Sequence, residues 1–258
     1  RTSLYRPFTR MSLYYDSVLN DRPAHFQQIL PNATAEAENQ AICVSGIGSS
    51  KPFQLLMTNT IPCLDVLEKT QCFPFYVYAD DGSNRRENIT DWALEQFRAH
   101  YHDDISKWDI FHYVYALLHH PQYREKYVAN LKRELPRIPF APDFRGFAKA
   151  GVKLAELHVS YEKQPEYPLQ WLENKDLPLD WRVERMRLSK DKTQVVYNDF
   201  LTLGSIPPEV FEYRLGNRSA LEWIVDQYHV KTDKRSGIVN DPNRADDPEY
   251  IVRLIGKV

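Results

Sequence analysis

Glycine is scarce in this sequence, with 9 of 258 residues, about half the share usual in globular chains. Phosphate cradles built from glycine-rich turns are therefore an unpromising reading. Cysteine is scarcer still: Cys43, Cys63 and Cys72 are an odd set whose spacing fits neither paired C-x-x-C metal ligation nor a disulfide framework. Free thiols in a reducing cytoplasm fit them best. No sign of charge prevails, since 33 Lys and Arg face 35 Asp and Glu for a formal charge of -2. A global basic field is thus excluded, and any surface for polyanions must be local. The longest apolar run, Phe73 to Ala79, is far short of the roughly 20 residues a membrane span requires. Missing as well are a G-x-S-x-G elbow, a P-loop and any two histidines spaced i, i+4 on a helix.

What the chain does have is apolar and aromatic content of 43% and 13%, enough to fill a core. It opens on Arg1 rather than Met, which suggests a piece of something longer. The segment up to about Asn20 carries Pro7 and reads as extended chain leading to a short helix or strand, a connection. AICVSGIGSSKPFQLLMT then places two apolar runs around a Gly and Ser turn, a hairpin pattern, and Phe75 to Tyr78 reads as a short aromatic strand. Thr90 can cap a helix over Ala93, Leu94, Phe97 and Tyr101. Ser106 and Asp109 form a capping box ahead of a helix apolar around most of its circumference, hence central, that stops at Pro121. Tyr123, Tyr127 and Leu131 predict one further helix ending before Pro136.

PRIPFAPDFRGFAKAG, from Pro136 to Gly151, reads as an exposed, proline-stiffened loop. RVERMRLSKDKTQVVYNDFL predicts two strands around a Lys-Asp-Lys turn, with a bulge near Glu184. Pro208 and Gly216 bracket a helix, Ser219 with Glu222 caps another, and Tyr250, Ile251, Leu254 and Ile255 mark a last one. Trp92, Trp108, Tyr115 and Trp223 sit at periodic positions that suit a core. The expected fold is α+β: short, mostly antiparallel sheets and hairpins around a helical middle section.

Two motifs hint at chemistry. SGIGSS resembles a glycine-rich cofactor turn, but Pro52 stands where the following helix would run, and a hairpin turn is the better reading. Asp143 with Glu173 and Lys175 matches a loose PD...ExK pattern of Mg²⁺-dependent nucleases, although WLENKD lacks strand alternation. The remaining features are basic clusters in loops: Arg85 and Arg86; Arg137, Arg145, Lys149 and Lys153; Lys190 and Lys192; Lys231, Lys234, Arg235 and Arg244. Facing one way, such clusters neutralise phosphates and send side chains into a groove.

Three stretches together resemble a known family. YRPF at Tyr5 to Phe8, DIFHYVYALLHHPQYREKYVANLKRELPRIPF from Asp109 to Phe140, and YRLGNRSALEWIVDQY with SGIVNDPN from Tyr213 to Asn243 are similar to the C-terminal part of Type ISP restriction-modification enzymes. Those polypeptides join a nuclease, a helicase-like translocase, an adenine N6 methyltransferase and a target recognition domain. Their catalytic signatures do not carry over. N-P-P-Y is absent, the only Pro-Pro being Pro207 and Pro208 between Ile206 and Glu209, and Walker motifs are missing.

The resemblance implies that residues 1–20 are a junction to an absent methyltransferase core and that residues 21–258 form the target recognition domain. It further implies a cytoplasmic, sequence-specific reader of double-stranded DNA, not a membrane protein, that directs adenine N6 methylation and restriction. S-adenosylmethionine, ATP and Mg²⁺ would serve the parent enzyme, and none would bind this part of it. Arg145 and Lys149 are the leading candidates for base contacts, followed by the Lys190 to Gln194 turn with Lys192. Arg137, Lys153, Lys231 and Arg235 suit phosphates. Two alternatives are a module coupling methyltransferase to translocase without reading bases, and a residual Mg²⁺-dependent nuclease.

Overall fold

Runs of strict alternation are short everywhere in this chain, and the strands that form are only two to five residues long. The computed structural model describes residues 1–16, 18–20 and 25–258. The chain divides into two compact units, Arg1–Val159 and Ser160–Val258, a boundary not drawn from the sequence. The α+β expectation holds, with short, mostly antiparallel sheets and helices in both units.

The first unit opens with β1 (Thr2–Arg6), β2 (Thr9–Ser12), α1 (Phe26–Ile29) and α2 (Ala33–Glu38). β3 (Ala41–Val44), β4 (Leu55–Thr58), β5 (Ile61–Pro62), β6 (Gln71–Pro74), β7 (Tyr76–Val77) and β8 (Arg86–Glu87) follow. β3 is the centre of an antiparallel β4-β3-β6 sheet, and the SGIGSS segment lies in the β3–β4 connection, as a hairpin requires. Cys43 and Cys72 face each other across β3 and β6 as free thiols, their sulfurs 3.4 Å apart. β1 pairs antiparallel with β2 and parallel with β5, so the extended chain and short helix or strand expected there as a connection are two paired strands of this unit. The strand expected over Phe75 to Tyr78 is interrupted at Phe75. That residue's amide donates to Gln40, and its buried ring stacks on Trp108 at 3.6 Å.

Five helices complete the unit: α3 (Asp91–His100), α4 (Lys107–His119), α5 (Pro121–Lys126), α6 (Val128–Leu131) and α7 (Phe144–Val159). Thr90 caps α3 as expected. Trp92 does not join the core, being 68% exposed; the face that α3 buries is the one bearing Phe97. α4 has both halves of its capping box, Asp109 N–H to Ser106 Oγ at 3.1 Å and Ser106 N–H to Asp109 Oδ2 at 2.9 Å. Ile110, Phe111, Tyr113, Tyr115, Leu117 and Leu118 are buried along it, each contributing on the order of 1.5–3 kcal/mol by leaving water. The single helix expected after Pro121 is split at Tyr127 into α5 and α6.

The largest departure lies between Pro136 and Gly151. Only residues up to Asp143 are loop; Phe144 begins a 16-residue helix. Asp143 starts it, its Oδ1 accepting from Gly146 N–H at 2.9 Å and its carbonyl from Phe147 N–H at 3.1 Å. The buried stripe is Phe144, Ala148, Gly151 and Ala155. Gly151 lies so close to the His112 carbonyl of α4 that a Cβ there would overlap it. The preceding loop is pinned by tyrosines. Tyr113 Oη donates to Pro139 O (2.5 Å) and accepts from Ala141 N–H (2.7 Å), and Tyr101 and Tyr123 donate to Ala141 O and Arg137 O.

The second unit contains β9 (Gln170–Glu173), β10 (Arg187–Leu188), β11 (Val195–Val196), β12 (Leu201–Gly204), β13 (Arg214–Leu215) and β14 (Arg218–Ser219), then α8 (Ala220–Gln227), β15 (Lys231–Thr232), β16 (Val239–Asn240) and α9 (Tyr250–Lys257). The sheet order is β10-β11-β12-β9, all antiparallel. The expected Lys-Asp-Lys hairpin is β10–β11. WLE, expected as loop, is edge strand β9; all its residues are exposed, which removes any alternation. The helix expected after Pro208 contracts to a 3-10 turn, and Gly216, at φ 67, turns β13 into β14. No strand bulges at Glu184; Arg185 forms an isolated bridge with His229 instead. The Ser219 and Glu222 capping box is present. Val183, Val195, Tyr197, Leu201, Leu203 and Ile224 are buried in this unit.

Candidate nucleic-acid interface

The nine residues singled out from the sequence fall into two sets, one in each unit. In the first, Arg145, Lys149 and Lys153 recur every fourth residue along α7 and are exposed, away from its buried stripe. They lie on a helix, not on the loop expected to carry them. Arg145 is engaged internally, its Nη2 being 2.6 Å from Asp104 Oδ2 and its Nη1 3.8 Å from Asp109 Oδ2. Lys149 and Lys153 have no ion pair or hydrogen bond among the described residues. Arg137 is 86% exposed beside Glu134, 3.1 Å away, a surface pair worth little.

In the second unit the β10–β11 turn presents Lys190, Lys192 and Gln194. Lys190 is exposed and unpaired among the described residues. Lys192 folds back, its Nζ 2.8 Å from Glu222 Oε1 and 4.9 Å from the Phe211 ring centre. Burial works to raise the Glu222 carboxyl, but Lys192, the Ser219 amide and Arg214 outweigh it and hold the group below its usual range. Lys192 is therefore committed to the fold. Gln194 ties its backbone to Ser189, and its side chain has no hydrogen bond among the described residues.

The β15–β16 hairpin carries Lys231, Lys234 and Arg235, all exposed, beside Ile238 and Val239 at 61% and 56% exposure. Its acid is already satisfied. Asp233 accepts from the Ser236 amide and hydroxyl and from the Arg235 amide, which hold its carboxyl low. The guanidinium of Arg235 has no partner among the described residues.

Reading the sequence missed Arg185 and Arg187. They flank Met186, which is buried, and point with period two away from it. Neither has a side-chain partner among the described residues. With Asn217, Arg218 and His229 they line an open cleft of about 440 Å³. The R-M-R alternation ahead of the turn was the signal that could have found them. Neighbouring Arg182, by contrast, is held by Glu184 at 2.7 Å and Asp241 at 2.9 Å.

Residues weighed for catalysis are placed otherwise. The Asp143 carboxylate caps α7, and Glu173 lies on exposed β9 in the other unit. Among the described residues no three His, Cys, Asp or Glu side chains gather to hold a metal. The amides of Gly46 and Gly48 donate to the carbonyls of Glu68 and Lys132, so they do not fit a cofactor phosphate. No helix among the described residues is long and apolar enough to cross a membrane.

The family model of the Type ISP C-terminal specificity domain matches residues 1–254. The chain belongs to that family. This bears out the resemblance carried by YRPF, the α4 region and YRLGNRSALEWIVDQY. Among solved structures, the specificity domain matches the cryoEM structure of a DrdV–DNA complex at 40% identity and TM-score 0.88, over 99% of this chain and 26% of that one. A nuclease-deletion mutant of the Type ISP restriction-modification enzyme LlaGI, in complex with a DNA substrate mimic, matches at 33% identity and TM-score 0.85, over 99% and 23%. The ATP-dependent Type ISP enzyme LlaBIII bound to DNA matches at 33% and 0.88, over 99% and 17%. The specificity domain thus spans about a quarter or less of these relatives' length. No curated protein matches it.

Proposed function

We propose that this specificity domain reads a short sequence in double-stranded DNA and thereby directs adenine N6 methylation and restriction by a Type ISP polypeptide in the cytoplasm. The observation that carries the reading is the match over 99% of the chain, at TM-score 0.88, to part of DrdV in a complex with DNA. The chemistry supports it. An enzyme that flips an adenine into its active site needs a separate surface to choose which adenine, because the extruded base holds too little sequence information. Contacts to base edges supply about 1–3 kcal/mol of discrimination each, while phosphate contacts fix register.

Within a chain of formal charge -2, Lys149 and Lys153 on α7, Lys190 on the β10–β11 turn and the cations of the β15–β16 hairpin, without ion pairs among the described residues, supply the local fields such a role needs. On this reading residues 1–20 lead in from a methyltransferase core. S-adenosylmethionine, ATP and Mg²⁺ serve other parts of the polypeptide, and this chain holds none of them. Exchanging the domain for its counterpart in a Type ISP relative of different specificity, then mapping methylated sites, tests the proposal. Site preference is expected to travel with the domain. If the recipient keeps its own site, the domain couples other parts of the enzyme and does not read bases.

A further inference from the structure

Within the second unit, β10 and α8 frame a cleft whose charges do not cancel. Arg185, Arg187, Arg218 and His229 contribute basic groups to it, Glu222 and Asp226 acidic ones. Both acids are already answered. Glu222 accepts from the Ser219 amide at 2.7 Å and meets Lys192 at 2.8 Å, and Asp226 is 3.0 Å from Arg218. Arg218 is further fixed over the Trp223 ring at 4.9 Å. What is left over is the pair Arg185 and Arg187, exposed and without partners among the described residues.

These two guanidiniums stand on a firm frame. Arg187 pairs in the ladder with Val196, Arg185 bridges to His229, and the Val230 amide donates to the Glu184 carbonyl at 3.0 Å. Met186 between them is anchored in the core at 3% exposure. Met186, Leu188 and Val225 supply the apolar part of the lining, which suits the carbon face of a sugar. Two guanidiniums lining one cleft, on residues two apart along the chain, can answer the oxygens of a phosphodiester. Two residues after His229 the chain enters the β15–β16 hairpin, which bears Lys231, Lys234 and Arg235.

We propose that this cleft holds a backbone phosphate of the duplex, with Arg185 and Arg187 as its ligands. The assignment rests on the DNA-reading function above and adds to it a register-setting contact that carries no base information of its own.

The test uses the full polypeptide with R185A/R187A or R185K/R187K introduced in this domain. Binding to a randomised duplex pool is measured across a salt series, and the enriched sequence is determined. For R185A/R187A the slope of log affinity against log salt is expected to shrink by about 0.9 for the single phosphate no longer neutralised, with the same sequence enriched. R185K/R187K, which keeps the charge, is expected to restore most of the slope. An unchanged slope in R185A/R187A overturns the assignment and leaves DNA reading intact. A changed enriched sequence overturns it differently, by making the arginines base readers. If the unaltered polypeptide enriches no sequence, the DNA-reading function falls first and the cleft assignment with it. Both arginines are exposed, so a thermal melt matching the parent's is expected for each variant and separates weakened binding from misfolding.

Discussion

Arg145 Nη2 lies 2.6 Å from Asp104 Oδ2, whereas Lys149, one turn further along the same face of α7, has no carboxylate partner among the described residues. The pair is exposed at 46% and 75%, so it contributes at most about 1 kcal/mol to folding. Its larger consequence is to mute a cation. Asp104→Asn is expected to release Arg145 from the closer of its two carboxylates, leaving Asp109 at 3.8 Å, and to tighten binding to duplex DNA at low salt, with little change in thermal midpoint. Titration by fluorescence anisotropy checks this. Unaltered affinity would remove Arg145 from the interface.

Lys149 and Lys153 make the opposite case, since their charge is unneutralised. In the double variant K149E/K153E, duplex affinity should fall, and the dependence of log affinity on log salt should flatten by about 0.9 for each phosphate that these lysines neutralise in the parent. Because neither side chain is packed, the circular dichroism spectrum and the melting curve should stay as they were. A salt slope equal to that of the parent protein would show that α7 faces away from DNA.

How legible each element was in the sequence follows from what drives it. The capping boxes at Ser106 with Asp109 and Ser219 with Glu222 depend on bonds three residues apart, and local chemistry of that kind is written in the chain. The start of α7 was obscured because Pro139 and Pro142 precede it and its buried stripe includes Ala148, Gly151 and Ala155. Small side chains allow helices to approach closely but leave a faint hydrophobic period. β9 was unreadable because all its residues are exposed, and Trp92 misled because periodicity does not say which face is covered. Among the site residues, the sequence supplied the cations but not their partners. Arg145 and Lys192 prove to be tied down by Asp104 and Glu222, pairings 41 and 30 positions apart along the chain that no spacing rule anticipates.

At Gly151 the backbone of α7 lies against α4, with the His112 carbonyl occupying the space a Cβ would need. Backbone cannot swing aside as a flexible side chain can. Gly151→Ala is therefore expected to destabilise the first unit by about 1–3 kcal/mol despite alanine's better helix propensity. Urea denaturation followed by tryptophan fluorescence reads this directly. A midpoint equal to or above the parent's would mean that the two helices separate at little cost.

Two imidazoles, His119 at the end of α4 and His158 near the end of α7, have ring centres 5.6 Å apart. His158 Nδ1 is 2.5 Å from Tyr115 Oη, which also accepts from the Met57 amide at 2.8 Å. Tyr115 Oη can donate its own proton to His158 Nδ1, the arrangement that suits a neutral imidazole. His119 donates from Nδ1 to the Tyr115 carbonyl at 2.9 Å. Burial is the main cause pushing both groups down from 6.5, His119 to about 4 and His158 to about 3. In the unfolded chain they take up protons near pH 6.5, so below that value the unfolded state binds more protons than the folded one. The stability they contribute is complete above pH 6.5. It is lost as pH falls toward the folded values, by about 1.4 kcal/mol per pH unit for each histidine. Denaturant unfolding at pH 7.5, 6 and 5 should show this loss, and H119Q/H158Q should reduce the slope, since glutamine cannot take up the proton. A parent protein equally stable at pH 7.5 and pH 5 would mean that both rings reach water when charged.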